Sequence, residues 1–221
     1  MTQRRPAIVV LAAGRGIRFR GNGHKLAQRL DDDDSVALVN TDTVLARTVR
    51  HALATRLRVV IVTNAGLAPA ALRLVPAADV VCLPEFDSKG RATVVGMGYS
   101  IAAGVSAAGD AEGWLIVPGD MPLLRSTSLL AVADALLHFP VAFAQYRGQR
   151  GHPVGFSTEL YSELVDLQGD EGARRIVARY PSQAVELDDP GVLIDVDTVE
   201  DLARLRAQEP VLASLASAKP V

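Results

Sequence analysis

Sulfur chemistry is almost absent from this chain, which has one cysteine, Cys82, among 221 residues. That excludes a disulfide or zinc framework within one chain. Cys82 lies in the apolar run Val80-Val81-Cys82-Leu83, which predicts a buried, inert thiol. Neither sign of charge is in large excess. A formal net charge of −2 gives no global attraction for nucleic acid, so any anion site must be local. No apolar run reaches membrane-spanning length. The amino terminus, Met-Thr-Gln-Arg-Arg ahead of an apolar strand, lacks the hydrophobic stretch and cleavage site of a signal peptide. A cytoplasmic, reduced protein is expected. Internal repeats and domain linkers are also missing. With 49% hydrophobic residues the chain suits one domain with a large core, predicted over 1–209. The small, Pro-bearing tail 210–221 is expected to be mobile.

Short β-branched runs alternate with longer helical stretches. Strands are predicted at Ala7–Leu11, Arg58–Thr63, Asp79–Leu83, Gly113–Val117 and Val141–Tyr146, with a short last one at Val192–Val196. Helices are predicted at Asp42–Thr55, Leu67–Leu74, Val94–Ala107, Thr127–His138, Thr158–Asp166, Gly172–Arg179 and Val199–Gln208. Fully apolar strands fit a sheet covered on both faces, and the alternation implies right-handed βαβ units in a doubly wound α/β fold. In such sheets a ligand sits beyond the carboxyl ends of the strands. The run Asp31 to Asp34 reads as a solvated turn between two short strands, because four adjacent carboxylates repel one another.

What the chain does have is an apolar strand running into a glycine-rich, basic loop: Leu11-Ala12-Ala13-Gly14-Arg15-Gly16-Ile17-Arg18, ending at Lys25. Glycine lets backbone N–H groups approach phosphate oxygens, and arginine and lysine supply counter-charge. The P-loop pattern fails, because Leu26 follows Lys25. The dinucleotide pattern fails too, because Phe19 stands where its third glycine belongs. A plain strand-to-helix turn is the alternative.

Four further segments carry candidate chemistry. Asp120, in Pro118-Gly119-Asp120-Met121-Pro122, sits at a predicted strand end. There it either helps hold a magnesium ion or serves as a turn former or cap. Asp195 and Asp197 alternate with apolar residues, so both can face one side. Thr198 and Asp201 have capping-box spacing, which leaves Asp195 free to reach the same cation as Asp120. His152, between Gly151 and Pro153 in a segment read as a loop, is either a substrate contact or a structural histidine. Asp170 can cap the helix that follows Gly169 to Gly172, and that helix start with Arg174 can receive an anionic group. Gly96 and Gly98 at a helix start imply close approach of something to the backbone, or tight helix–sheet packing.

Taken in order, Leu11-Ala12-Ala13-Gly14 with Arg18 and Lys25, Gly119-Asp120-Met121-Pro122, Gly151-His152-Pro153, Gly169-Asp170-Glu171-Gly172-Ala173-Arg174 and Asp195-Val196-Asp197-Thr198 resemble the molybdenum cofactor cytidylyltransferases. These lie within the wider molybdopterin nucleotidyltransferase-like family, and the resemblance runs from about Ala7 to Leu205. It implies a Rossmann-like, mostly parallel sheet of the nucleotide-diphospho-sugar transferase type. It also implies magnesium-dependent transfer of a nucleotide from a triphosphate to a phosphorylated acceptor, with pyrophosphate leaving. Leu11, Ala12, Ala13, Gly14, Gly16, Arg18 and Lys25 match the triphosphate loop, with Gly96, Gly98 and Ser100 on the base. Arg18, Lys25 and Asp120 match catalytic positions, Asp120 matches the family's metal-binding aspartate, and Asp195 is taken as the second metal ligand, with Asp197 as the alternative. His152, Pro153, Gly169, Asp170, Gly172 and Arg174 match the acceptor side. Cytidylyl-transferring relatives carry Leu-Ala-Ala-Gly and guanylyl-transferring ones Leu-Ala-Gly-Gly, so Ala13 favours CTP. The implied acceptor is a molybdopterin-type cofactor. Rival readings change the acceptor to another phosphorylated metabolite or sugar, or make the chain a non-catalytic cofactor carrier for a molybdenum hydroxylase.

Overall fold

The computed structural model describes residues 5–14, 16, 18–30, 42–84 and 96–207. Among the described residues seven strands form one sheet: β1 (Ala7–Ala12), β2 (Val59–Thr63), β3 (Val80–Cys82), β4 (Gly113–Pro118), β5 (Val141–Tyr146), β6 (Gln149–Ser157) and β7 (Ser182–Glu186). Their order is β3-β2-β1-β4-β6-β5-β7. The pairs β1–β2, β2–β3, β1–β4 and β5–β7 are parallel, whereas β6 runs antiparallel to both β4 and β5. The sheet is thus mostly parallel, as the alternation implies.

Helices cover both faces because β1 is apolar on both. Ile8, Val10 and Ala12 join one core with Val44, Leu45 and Val49 of α1 (Val44–Ala54), Leu129 and Val132 of α4 (Ser126–Ala135), and Leu202 and Leu205 of α7 (199–207). Ala7 and Val9 join the other core with Ile101 and Val105 of α3 (Met97–Ala107), Leu164 of α5 (Tyr161–Val165), and Ile176 and Val177 of α6 (Arg174–Arg179). A short α2 (Ala68–Ala71) links β2 to β3. Among the described residues no helix is long and apolar enough to cross a membrane.

From β1 the chain moves outward to β2 and β3, then returns to lay β4 on the other side of β1. The carboxyl ends of β1 and β4 therefore lie side by side where the winding reverses, and a crevice opens there. The Gly119 N–H donates to the Leu11 carbonyl at 2.9 Å and ties the two strand ends together.

Several expectations are corrected. Cys82 is exposed, because it ends a three-residue strand at the sheet edge. The last strand expected at Val192–Val196 is instead a 3₁₀ turn, Pro190–Leu193, followed by extended chain. Its cause is local: Asp189 accepts from the Gly191 N–H and Pro190 sets the turn. The segment around His152 is not a loop but part of β6, and β7 carries no apolar alternation strong enough to predict it. Asp170 caps nothing, since α6 begins at Arg174 with Ala173 as its uncapped leading residue. The Asp31–Asp34 run, residues 94 and 95 of the third predicted helix, and the tail 210–221 lie outside the described residues.

Asp189 also anchors the chain that follows. It is 3% exposed, and its Oδ2 accepts from the Arg125 N–H at 3.1 Å and the Ser128 hydroxyl at 2.6 Å. It thus caps α4 from outside that helix. Asp189→Ala leaves these buried donors unpaired and should cost about 2–3 kcal/mol, the sum of a lost cap and an unmet donor. Chemical denaturation checks this, and a loss under about 0.5 kcal/mol would contradict it.

Candidate functional site

The loop after β1 is held in shape by its own histidine. His24 Nδ1 accepts from the Leu26 N–H at 3.2 Å, so Nε2 carries the proton and donates to the Gly14 carbonyl at 2.8 Å. This strut joins the two limbs of the loop. Gly16 sits at φ +60, a left-handed conformation that favours glycine, and its carbonyl accepts from the Phe19 N–H at 3.0 Å. Phe19 and Leu26 are buried anchors on either side of the exposed turn. The 3₁₀ turn Lys25–Ala27 then turns Lys25 back toward β4.

Lys25 Nζ donates to Asp120 Oδ2 at 2.5 Å and to Asp197 Oδ1 at 2.6 Å. Arg18 pairs with Asp197 Oδ2 at 2.5 Å while its own side chain is 80% exposed. Two backbone features hold the acids in place. The Val196 N–H donates to the Asp120 carbonyl at 2.9 Å. Just beyond, Thr198 and Asp201 form a reciprocal capping box at the start of α7, with Thr198 N–H to Asp201 Oδ2 at 2.9 Å and Asp201 N–H to Thr198 Oγ1 at 3.1 Å. Ligand atoms of Asp120, Asp195 and Asp197 all lie within 4.8 Å of one another.

The cleft has a volume of about 600 Å³. Of the residues predicted for the nucleotide, Leu11, Ala13, Gly14, Gly16, Arg18, Lys25 and Ser100 line it. Ala12 faces the core instead. Gly96 and Gly98 lie against the Gln168–Gly169 backbone. A Cβ on Gly96 would meet the Gly169 carbonyl oxygen at 2.2 Å, and the Gly98 N–H donates to that oxygen at 2.9 Å. The close approach expected from these glycines is therefore made by the protein's own chain. Of the acceptor-side residues, His152 and Asp170 line the cleft. Pro153 is buried in β6, Gly172 packs on Met97, and Arg174 is exposed at the start of α6. Sequence reasoning missed His24 and Met97. A histidine beside the lysine and a lone exposed methionine carry no periodic or motif signal.

Electrostatics set the character of the cleft. Its described lining has four carboxylates (Asp120, Asp170, Asp195 and Asp197) against Arg18 and Lys25. A phosphate chain therefore meets net negative charge unless a divalent cation enters with it. Burial pulls the Lys25 ammonium down, but Asp120 and Asp197 outweigh it and hold its pKa above the ordinary lysine value. Burial in the cleft, then Asp120 and Asp197, push the Asp195 carboxyl up. Burial and, less strongly, Arg150 push the His152 imidazole down against the pull of Asp120, which favours the neutral ring. The acids also suit a hard divalent cation, because Asp120 Oδ1 is buried with no hydrogen-bond partner. That is an oxygen left for a ligand.

A raised Asp195 pKa means that its charge opposes folding, and more so as pH rises through the folded value. Asp195→Asn should therefore raise the melting temperature of the protein in chelator by a few degrees at pH 7. The gain should fade as pH falls and vanish below 3.8, the ordinary Asp value, where the carboxyl is protonated in both states. Thermal melts at both pH values check this, and a lowered melting temperature at pH 7 would refute it.

The chain is 34% identical over 116 residues to the purine catabolism protein PucB of Bacillus subtilis (strain 168), covering 50% of this chain and 56% of that protein. The match thus spans little more than half of PucB. A homologue of Rv0371c from Mycobacterium sp. strain JC1 superposes with a TM-score of 0.74 at 24% identity, over 94% of this chain and 98% of the other. Rv0371c of Mycobacterium tuberculosis H37Rv in complex with manganese gives 0.65 at 24% identity, over 92% and 98% of the two chains. The molybdopterin-guanine dinucleotide biosynthesis protein A of Archaeoglobus fulgidus gives 0.64 at 13% identity, over 93% and 99%. At these identities the three structures show a shared fold. The family model for the MobA-like NTP transferase domain matches residues 8–185. That span runs from the first strand into the last, and the chain belongs to the MobA-like NTP transferase domain family.

Proposed function

We propose that the chain is a magnesium-dependent cytidylyltransferase that moves CMP from CTP to the terminal phosphate of a molybdopterin-type cofactor and releases pyrophosphate. The observation that carries this is the meeting of Lys25 and Arg18 with Asp120, Asp195 and Asp197 at the end of a glycine loop. Such a meeting of charges suits phosphoryl chemistry better than it suits a passive binding cleft.

An oxygen of the acceptor phosphate attacks the α-phosphorus, and the bond to the pyrophosphate oxygen breaks. The phosphate is its own nucleophile, so no Ser, Cys or general base is required. Catalysis is then positioning plus charge stabilisation. Ala13, Gly14, Gly16 and Ser100 line the cleft; the first three would present the loop to the triphosphate and Ser100 would meet the base. Lys25 and Arg18 neutralise the charge that grows on the α-phosphate and the departing pyrophosphate. Asp120 with Asp195 would hold the divalent cation, which when bound offsets the negative charge of the phosphates. On the acceptor side His152, favoured in its neutral form, and Asp170 both line the cleft, and Arg174 would be available to an anionic group. Ala13 is 9% exposed in the cleft wall, and its methyl group narrows the space left for a purine. The likeness to PucB, a protein of purine catabolism, supports a molybdenum hydroxylase as the recipient of the finished cofactor.

Incubation with magnesium, CTP and molybdenum-loaded cofactor should release pyrophosphate, faster than with GTP or ATP. Asp120→Ala should lower that rate by about 10²–10³-fold or more with unchanged circular dichroism. Ala13→Gly should shift the kcat/KM ratio toward GTP by about tenfold. Tight cofactor binding without pyrophosphate release would replace this reading with that of a carrier.

A further inference from the structure

Asp195 and Asp197 stand two residues apart, yet their surroundings differ. Both carboxylate oxygens of Asp197 are engaged by cations, Oδ1 by Lys25 at 2.6 Å and Oδ2 by Arg18 at 2.5 Å. To ligate an ion, Asp197 would have to share an oxygen that already accepts a charge-assisted bond. Among the described residues no lysine or arginine pairs with Asp195. Asp120 is intermediate, with Oδ2 on Lys25 and Oδ1 buried and unpartnered. The free oxygens of the cluster therefore belong to Asp120 and Asp195.

From this geometry we infer a division of labour within the Asp195–Asp197 pair. Asp195 joins Asp120 in holding the divalent cation, whereas Asp197 is a positioning residue that holds Lys25 and Arg18 for the phosphates. Its backbone suits it to be a fixed post. The preceding Val196 N–H is held by the Asp120 carbonyl, and the following Thr198–Asp201 box fixes the start of α7. Arg18 has most need of such a post. Its side chain is 80% exposed, and Asp197 is its ion-pair partner. Without Asp197, the long arginine side chain would have to be ordered from solvent each time substrate binds, a cost that falls on the reaction.

The inference rests on the acids being a divalent-cation site, and the test separates the two ideas. Mn²⁺ binding to the whole protein is titrated by electron paramagnetic resonance for wild type, Asp195→Asn and Asp197→Asn. Each substitution removes one negative charge close to the same point, so the through-space loss is shared and the excess reports direct ligation. Asp195→Asn should lose at least tenfold more Mn²⁺ affinity than Asp197→Asn. An equal or greater loss in Asp197→Asn overturns the division of labour. No loss in either variant overturns the cation site itself, and the inference with it.

A second measurement reads the coupling of Asp197 to Arg18, whose exposed side chain tolerates change. If Asp197 acts through Arg18, then Arg18→Gln and Asp197→Asn are non-additive. Each alone should lower kcat about 10–100-fold, and the double variant should be no more than about threefold worse than the weaker single one. Raised Mn²⁺ should restore turnover to Asp195→Asn and leave Asp197→Asn unrestored. Multiplying effects, or Mn²⁺ rescue of Asp197→Asn, would assign Asp197 to the metal.

Discussion

One ammonium group organises this site. Lys25 is shared between Asp120 and Asp197, partners 95 and 172 residues away along the chain. It gathers the loop after β1, the end of β4 and the segment before α7 at one point. All three side chains are largely buried, at 13–17% exposed, so each charge has lost much of its hydration. Their mutual attraction offsets that loss only while the geometry is kept, which makes the arrangement better evidence for specificity than for stability. An unpaired member would be a buried charge without compensation.

The rest of the fold delivers those three segments. Laying β4 beside β1 puts two carboxyl ends next to each other, and the Gly119–Leu11 hydrogen bond holds them together. Antiparallel β6 then extends the sheet beyond β4 and carries His152 into the cleft wall. Asp189 pins the 3₁₀ turn to α4, so the chain arrives beside Asp120 with its acids in reach. A buried acid far from the chemistry thus helps set where the acids of the site stand. The cleft is negatively charged around its two described cations, which is the arrangement expected where substrate phosphates arrive with a metal ion.

Much of this was legible in the residues. The five strands predicted from apolar runs exist, and in β1, β2 and β4 burial along almost the whole strand is written directly into composition. The capping box at Thr198 and Asp201 was readable from spacing alone, because its interactions are local. What failed had a physical reason in each case. β6 contains Gly151, Pro153 and Gly155, which blur its alternation, and β7 is a partly polar edge strand. Cys82 sits among apolar residues yet is exposed, since edge position is not a local property. Gly96 and Gly98 signalled close approach correctly, and the partner seen at both is the Gln168–Gly169 backbone.

By itself the sequence determined the α/β class, the glycine loop, and the candidate acids and bases, because these follow from periodicity, backbone freedom and the chemistry of single residue types. Only the tertiary structure decided that Lys25 bridges Asp120 and Asp197, that Asp195 pairs with no lysine or arginine among the described residues, and that His24 closes the loop onto Gly14. Those are relations between charges far apart along the chain, and neither spacing nor composition encodes a distance between segments that only the sheet order brings together.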